Sequence, residues 1–324
     1  MSELHAFKGF NEDLTCRGFQ YVEGETYEQD APARLCSTGF HAVTSPLDVF
    51  SYYPPAGSVY HAVTLDDVDG KREDDSKVAG RRIKVGARLS IPALVKAHID
   101  FVWENVKKDD VPAASNTGYR SAASNTGDYS AASNTGYRSA ASNTGNYSAA
   151  SNTGNYSAAS NTGDRSAASN TGDRSAASNT GDYSAASNTG YRSAASNTGD
   201  RSAASNTGDY SAASNTGYRS AASNTGNYSA ASNTGNYSAA SNTGYQSAAS
   251  NTGYQSAASV EGAESVAIVT GKDSKASGAL GCWLVLTERD DDYRIVSVQS
   301  VKVDGKKVKA GVFYTLRDGK VVTA

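Results

Sequence analysis

Hydrophobic and polar positions follow three different rules along the 324 residues. Up to about residue 111, short apolar runs alternate with turn formers. "LHAFKGF", "GFQYVEGETY", "TGFHAV", "SVYHAVTL" and "RRIKVGARL" have the pattern of strands, "SPLDVFSYY" reads as a helix opened by Ser45 and Pro46, and "IPALVKAHIDFVWENV" as a second helix. This part is expected to be an α+β domain with its own core, and its acidic insert "DDVDGKREDDSK" a solvated loop. Residues 112–259 obey another rule: they contain no Leu, Ile, Phe, Met, Trp or Lys. The last 45 or so residues return to strand patterns, "CWLVLTER", "YRIVSVQSVKV", "KKVKAGVFYTL" and "KVVTA", with tight-turn signals at Asp304-Gly305 and Asp318-Gly319.

The middle is a repeat. Glycine recurs every nine residues from Gly118 to Gly253, sixteen times, in the frame S-A-A-S-N-T-G-x-x, and Gly262 and Gly271 keep the phase for two degenerate copies. Those two copies show which positions tolerate change. The first Ala becomes Val266 and Lys275, the second stays Ala267 and Ala276, the first Ser stays Ser265 and Ser274, and Asn becomes Val260 and Val269. Period-two alternation then places the first Ser, second Ala and Asn inside and the first Ala, second Ser and Thr outside. The strand is S-A-A-S-N-T; the corner is G-x-x, with Gly there for positive φ.

Nine residues cannot close a coil around a core, but two copies can. The expectation is a mainly β fold: a parallel β-solenoid of two nonapeptides per coil and about nine coils, roughly 43 Å long. It would be held by backbone ladders and stacked Asn amides, because a Ser/Ala/Asn core buries little apolar area. Composition alone would predict a disordered linker; the strict phase, the alternation and the in-register decay at one end argue against that. Val260, Val266, Ile268 and Val269 mark the junction with an antiparallel β-meander cap, where Trp283, Leu284 and Val285 help close the open end. The domains are therefore 1–111, 112–278 and 279–324.

The couplet after each glycine is written in Tyr, Arg, Asp, Asn and Gln, residues that serve binding surfaces. The candidate contact set is Tyr119, Arg120, Tyr129, Tyr137, Arg138, Tyr191, Arg192, Tyr218, Arg219 and Tyr254. The plainer reading is that tyrosine stacking and Arg/Asp pairs staple successive coils. Each flat Ala/Ser/Thr face would offer roughly 850 Å², close to one partner's share of a standard interface, so a homo-oligomer, a trimer among the options, is expected.

Charge and composition narrow the functions. Net charge is −5 over residues 1–111, +1 over 112–259 and +1 over 260–324, together the −3 of the chain, which argues against a nucleic-acid partner. Cys16, Cys36 and Cys282 are too few for a disulfide framework. With no leader pattern and no apolar run of membrane-spanning length, no membrane partner is expected, and the cytoplasm of the producing cell or a phage particle is the expected location. Cys16, Cys36, His41 and His61 lack zinc-site spacing, and no phosphate-cradling glycine loop is present, so neither a metal nor a cofactor is expected.

Three resemblances add to this. "SVAIVTGKDSKASGALG" and the repeats resemble the head β-rolls of trimeric autotransporter adhesins, which implies a parallel roll and a trimer. The modules "AFKGF…CRGFQY", "GFHA…PLDVFSYYPP", "GALGCWLVL" and "VKVDGKKVKAGVFYTLRDGK" resemble an uncharacterised family of phage and prophage proteins that bracket Ser/Ala/Asn/Gly repeats of varying number. "LHAFKG" with "GFHAVTSPLDVFSYY" is faintly similar to ADP-ribosyltransferases, which implies an enzymatic alternative with His5, Lys8, His41 and Tyr53 as candidate site residues and no counterpart of that family's late Glu. The leading expectation is a non-enzymatic structural or recognition protein, a rod presenting its couplets to a protein or glycan partner.

Overall fold

A computed structural model describes residues 3–69, 76–108 and 113–324. The nonapeptides form nineteen strands, β8 (Ala113–Thr117) through β26 (Lys275–Gly278), and with β27 (Trp283–Arg289) these twenty alternate between two parallel sheets. Each strand pairs in register with the one eighteen residues on, so that Ala131, Asn134 and Thr135 lie beside Ala149, Asn152 and Thr153. One rung is two nonapeptides, as the period predicts, but about ten rungs form instead of nine. The added strand is β27, which the pattern assigns to the cap. It lies parallel to Val266–Val269, and it starts eight residues after Lys275, so a count by nines passes over it.

Inside the rod the alternation holds. Ser148, Ala150 and Asn152 are each at most 1% exposed. Second alanines from both sheets make one column from Ala123 to Ala276, which Val260, Val269, Leu284 and Leu286 widen toward the C-terminal end. The polar half of this core differs from the expected stack of amides. Asparagine Nδ2 groups reach across the interior to carbonyls of two successive rungs of the other sheet, as Asn215 donates to Ser202 O (2.9 Å) and Ala221 O (2.7 Å). Serines form the ladder instead: Ser220 Oγ accepts the Ser202 backbone N–H at 3.2 Å and donates to Gly199 O at 3.1 Å. With so little apolar bulk, these bonds carry the specificity of rung stacking.

At the C-terminal end each sheet receives its own antiparallel addition, so the expected single meander is split. β28 (Ile295–Lys302) pairs with β27, while β29 (Tyr314–Arg317) and β30 (Lys320–Thr323) form a hairpin that joins the other sheet at Ala276↔Tyr314. Asp318 and Gly319 turn this hairpin with φ of 49° and 66°, the mirror-image turn their dipeptide predicts. Asp304-Gly305 lies instead on the crossing between sheets, where Asp304 Oδ1 accepts the backbone N–H groups of Lys306 (2.8 Å) and Val308 (3.0 Å).

The N-terminal head is a small antiparallel barrel: β1 (Leu4–Asn11), a two-residue pair β2 (Thr15–Cys16) and β3 (Phe19–Gln20), β4 (Thr26–Glu28), β5 (Phe40–Val43), β6 (Ser58–Val68) and β7 (Lys77–Leu89). β1 pairs along β6, β6 along β7, and β7 with both β4 and β5; β5 meets β1 at Phe7↔Val43 and closes the ring. Ala6, Phe10, Val63, Leu65, Ile83 and Val85 fill it. Of the acidic insert, Asp66–Val68 extends β6 and Lys77 starts β7; residues 70–75 lie outside the described residues. The helix expected after Ser45-Pro46 is a 3-10 turn, Pro46–Asp48, followed by α1 (Val49–Tyr52).

The second helix, α2 (Ile91–Lys108), does not stay with the head alone. Leu94 and Val95, with Val43, Leu47 and Phe50 of the head, share a core with Ala185, Ala203 and Ala221 of the rod, and Val102 and Val106 with Ala131, Ala149 and Ala167. A helix rising ~1.5 Å per residue crosses rungs ~4.8 Å apart so that every third or fourth side chain meets one. First alanines supply the smooth track. They are therefore buried on this head face, 0% at Ala185 and Ala203, and exposed on the opposite open face, as at Ala176 and Ala194. Among the described residues, no helix is long and apolar enough to cross a membrane.

Candidate functional site

Every corner solves the same steric problem. Successive rungs bring backbone onto backbone at the glycine: a Cβ on Gly181 would lie 2.3 Å from Gly163 O, and one on Gly208 2.1 Å from Gly190 O. Clearance, more than φ, is what demands glycine here. The left-handed conformation falls on the second couplet residue, with φ between 47° and 59° in all eighteen copies, from Arg120 to Asp273. In the sixteen regular copies Asn and Asp, which tolerate that region best, occur within the couplet only at its first position. There Oδ1 caps the next rung: Asp128 accepts from Asn146 N at 2.8 Å, Asn146 from Asp164 N at 2.9 Å and Asp164 from Asp182 N at 2.9 Å.

The two edges built from these corners have different surroundings. On one, Tyr119, Tyr137, Tyr156, Tyr191, Tyr210, Tyr228 and Tyr245 are all exposed, from 38% at Tyr137 to 61% at Tyr119. Their rings touch in two series separated by Arg174: Tyr119 and Tyr137 stack at 5.5 Å and Tyr137 meets Tyr156 edge-on at 5.3 Å, while Tyr191 meets Tyr210 at 5.4 Å and Tyr210 stacks on Tyr228 at 4.9 Å. Arginines fill the intervals, Arg138 lying 5.4 Å from the Tyr137 ring and 5.7 Å from Tyr156, and Arg192 5.0 Å from Tyr191 and 5.7 Å from Tyr210. Arg174 donates to the Tyr156 hydroxyl. Stapling by rings and guanidinium groups is thus present, whereas no Arg/Asp ion pair joins couplets among the described residues.

The other edge faces the head. Tyr183 and Ser51 share a hydroxyl hydrogen bond of 3.0 Å, Arg219 donates to the Ser51 carbonyl, and Arg165 pairs with Asp48 at 3.5 Å. Asp48 is 2% exposed and also accepts from Ser45 Oγ at 3.2 Å and Ser76 Oγ at 2.6 Å. Farther along the rod, on the head face, Lys275 meets Glu12 at 3.0 Å. The ten couplet residues singled out by sequence therefore divide. Tyr119, Arg120, Tyr137, Arg138, Tyr191 and Arg192 stand on the open edge; Tyr129, Tyr218, Arg219 and Tyr254 stand on the head edge. Sequence reasoning missed Tyr156, Tyr210, Tyr228 and Tyr245, which the eighteen-residue period assigns to the open edge once two copies per rung are accepted.

A separate cavity of about 390 Å³ lies in the head, lined by residues that include Lys8, Cys16, Arg17, Tyr21, Cys36, His41, Tyr52, Tyr53 and Lys77. Three of the four enzymatic candidates, Lys8, His41 and Tyr53, converge there. His5 does not: it is exposed, on the other side of β1 from Lys8. Alternation along β1 sends Lys8 into the barrel, where it is 7% exposed, its Nζ donates to His41 O at 2.7 Å and sits 5.5 Å and 5.9 Å from the Phe10 and Tyr21 rings. Burial pulls the Lys8 pKa below that of an ordinary lysine.

His41 is held by the fold. Its Nε2 accepts the Cys36 backbone N–H at 3.1 Å, which leaves the ring proton on Nδ1, and burial followed by Lys77, Lys8 and Arg17 keeps the ring neutral by lowering its pKa. Tyr53 is seated by Gly9, where a Cβ would lie 2.5 Å from the Tyr53 Cβ, and by Tyr60, whose hydroxyl donates to Tyr53 O at 2.7 Å. Burial, then the Cys16 thiol, raises the Tyr53 pKa, so the phenol stays a donor. Lys77 Nζ lies 3.1 Å from Cys36 Sγ. No acidic residue is found among the described lining residues, and no group of three or more His, Cys, Asp or Glu that could hold a metal ion occurs among the described residues.

Comparison with curated proteins and with solved structures finds no match. Residues 4–97, which span the barrel and the first turns of α2, match a family model described as a domain of unknown function (DUF7666).

Proposed function

We propose that the protein is a recognition rod whose open edge binds an extended partner, protein or glycan, laid along the column of tyrosines and arginines. The observation that carries this reading is the asymmetry of the two edges. Both are written in the same residues, yet the head covers part of one and leaves seven exposed tyrosines on the other. Rings held by their neighbours and by guanidinium groups are pre-ordered, so they lose little rotamer freedom on binding. End modules bracketing the repeats, as in the phage and prophage proteins they resemble, fit a display role.

The test is a screen of the full chain against glycan and peptide arrays, followed by the triple variant Tyr137→Ala, Tyr156→Ala, Tyr191→Ala. Binding lost in the triple variant and kept in Tyr254→Ala on the other edge supports the reading. A ligand that ignores the triple variant refutes it.

A second reading concerns self-association. The head face is filled by α2, but the open face repeats the same alanine track uncovered, with Ala158, Ala176 and Ala194 exposed. Two copies meeting through this single face close as a two-fold pair, whereas the trimer implied by the adhesin resemblance needs a further surface. Light scattering on the purified chain decides, and a monomer removes this reading.

A further inference from the structure

We propose that the head cavity is a binding site for a small organic anion carrying a planar ring, with Lys8 at its floor and Arg17 and Lys77 beside it. Three cationic side chains and a neutral imidazole line the space, the described lining contains no carboxylate, and the aromatic wall includes Phe19, Tyr21, Phe40 and Tyr53. At about 390 Å³ the cavity falls at the small end of the ~300–1,000 Å³ typical of ligand sites.

Lys8 gives the site its chemistry. A buried ammonium is costly unless a counter-charge or full hydrogen bonding offsets it. Here Nζ has a backbone carbonyl, two aromatic faces and the Cys16 side chain but no carboxylate ion pair among the described residues. Burial lowers its pKa although the Cys16 thiol opposes the shift. An anionic head group in the cavity supplies a carboxylate-like counter-charge, and a ring can lie against the aromatic wall. Cys36 links two lining residues, its N–H donating to His41 Nε2 and its Sγ meeting Lys77 Nζ.

The test uses the full chain and two fluorescent probes that differ only in charge: anilinonaphthalene sulfonate and the neutral phenylnaphthylamine. The sulfonate is expected to bind one site per chain, at least tenfold more weakly to Lys8→Met, with the neutral probe indifferent to that change. Equal binding of both probes, or no loss in Lys8→Met, overturns the proposal. Should Lys8→Met fail to fold by circular dichroism, the double variant Arg17→Gln, Lys77→Gln at the rim carries the same readout: weakened sulfonate binding supports the site and unchanged binding overturns it. Competition by adenosine monophosphate or by benzoate then tells a phosphate ester from a carboxylate; failure of both to compete overturns the proposal.

Discussion

Gly181 shows what a corner requires of a single residue. With φ at 151° and a carbonyl 2.3 Å from where its Cβ would stand, it cannot be replaced without parting two rungs. Gly181→Ala is expected to destabilise the rod by more than about 2 kcal/mol, whereas Thr180→Ala beside it, on an exposed position, should change stability by less than about 0.5 kcal/mol. Thermal unfolding of the two variants checks the contrast, and equal melting temperatures would refute the steric account. The period already marked this glycine for its positive φ, which it has, and the close approach of two rungs adds a second reason. The left-handed region proper falls on the residue two further on, with Tyr183 at 54°. That Tyr, Arg and Gln accept it follows from the rung below: the Arg120 N–H donates to Tyr137 O at 2.9 Å, and the same bond recurs along the edge.

At the scale of an element, α2 carries a conflict within its apolar stripe. His98 is fully buried between helix and rod, neither ring nitrogen has a hydrogen-bond partner, and burial, then the nearby Arg165 cation, lowers its pKa to about 3. A base whose folded pKa lies below its ordinary 6.5 favours folding only while neutral. Its contribution is therefore complete above about pH 6.5 and is lost progressively as pH falls toward 3, by roughly 5 kcal/mol at the bottom of that window. His98→Leu should flatten the acid limb of a stability profile between those limits. A slope identical to that of the parent chain would show that other groups set it. The amphipathic helix itself was legible in "IPALVKAHIDFVWENV". Its partner was not, because the first alanine is the same on both faces and nothing in the repeat says which face a helix will cover.

At the scale of the whole molecule, a uniform track poses a question of position. Helix α2 would pack as well one rung higher or lower, since each rung repeats the same alanine. Only residues that break the repeat fix its height, and they are the ones the head touches: Arg165 at Asp48, Tyr183 and Arg219 at Ser51, Lys275 at Glu12. The variable couplets thus set the docking of the head on one edge while remaining open on the other. Sequence showed that they vary and face outward, but not that one row was already engaged, because both rows draw on the same alphabet.

Two copies per turn also impose an arithmetic of even and odd. Removing residues 230–247 slides everything beyond by one step along the same side, so Lys275 stays within reach of the side that holds Glu12. Removing only 230–238 swaps front for back in all that follows and carries Lys275 behind the rod. The shorter deletion should accordingly melt at the lower temperature, although it takes away half as much chain. Lengthening or trimming the rod beyond Arg219 therefore keeps the Lys275–Glu12 side only when it proceeds in pairs, and an odd change gives up that contact while leaving Arg165, Tyr183 and Arg219 on the head.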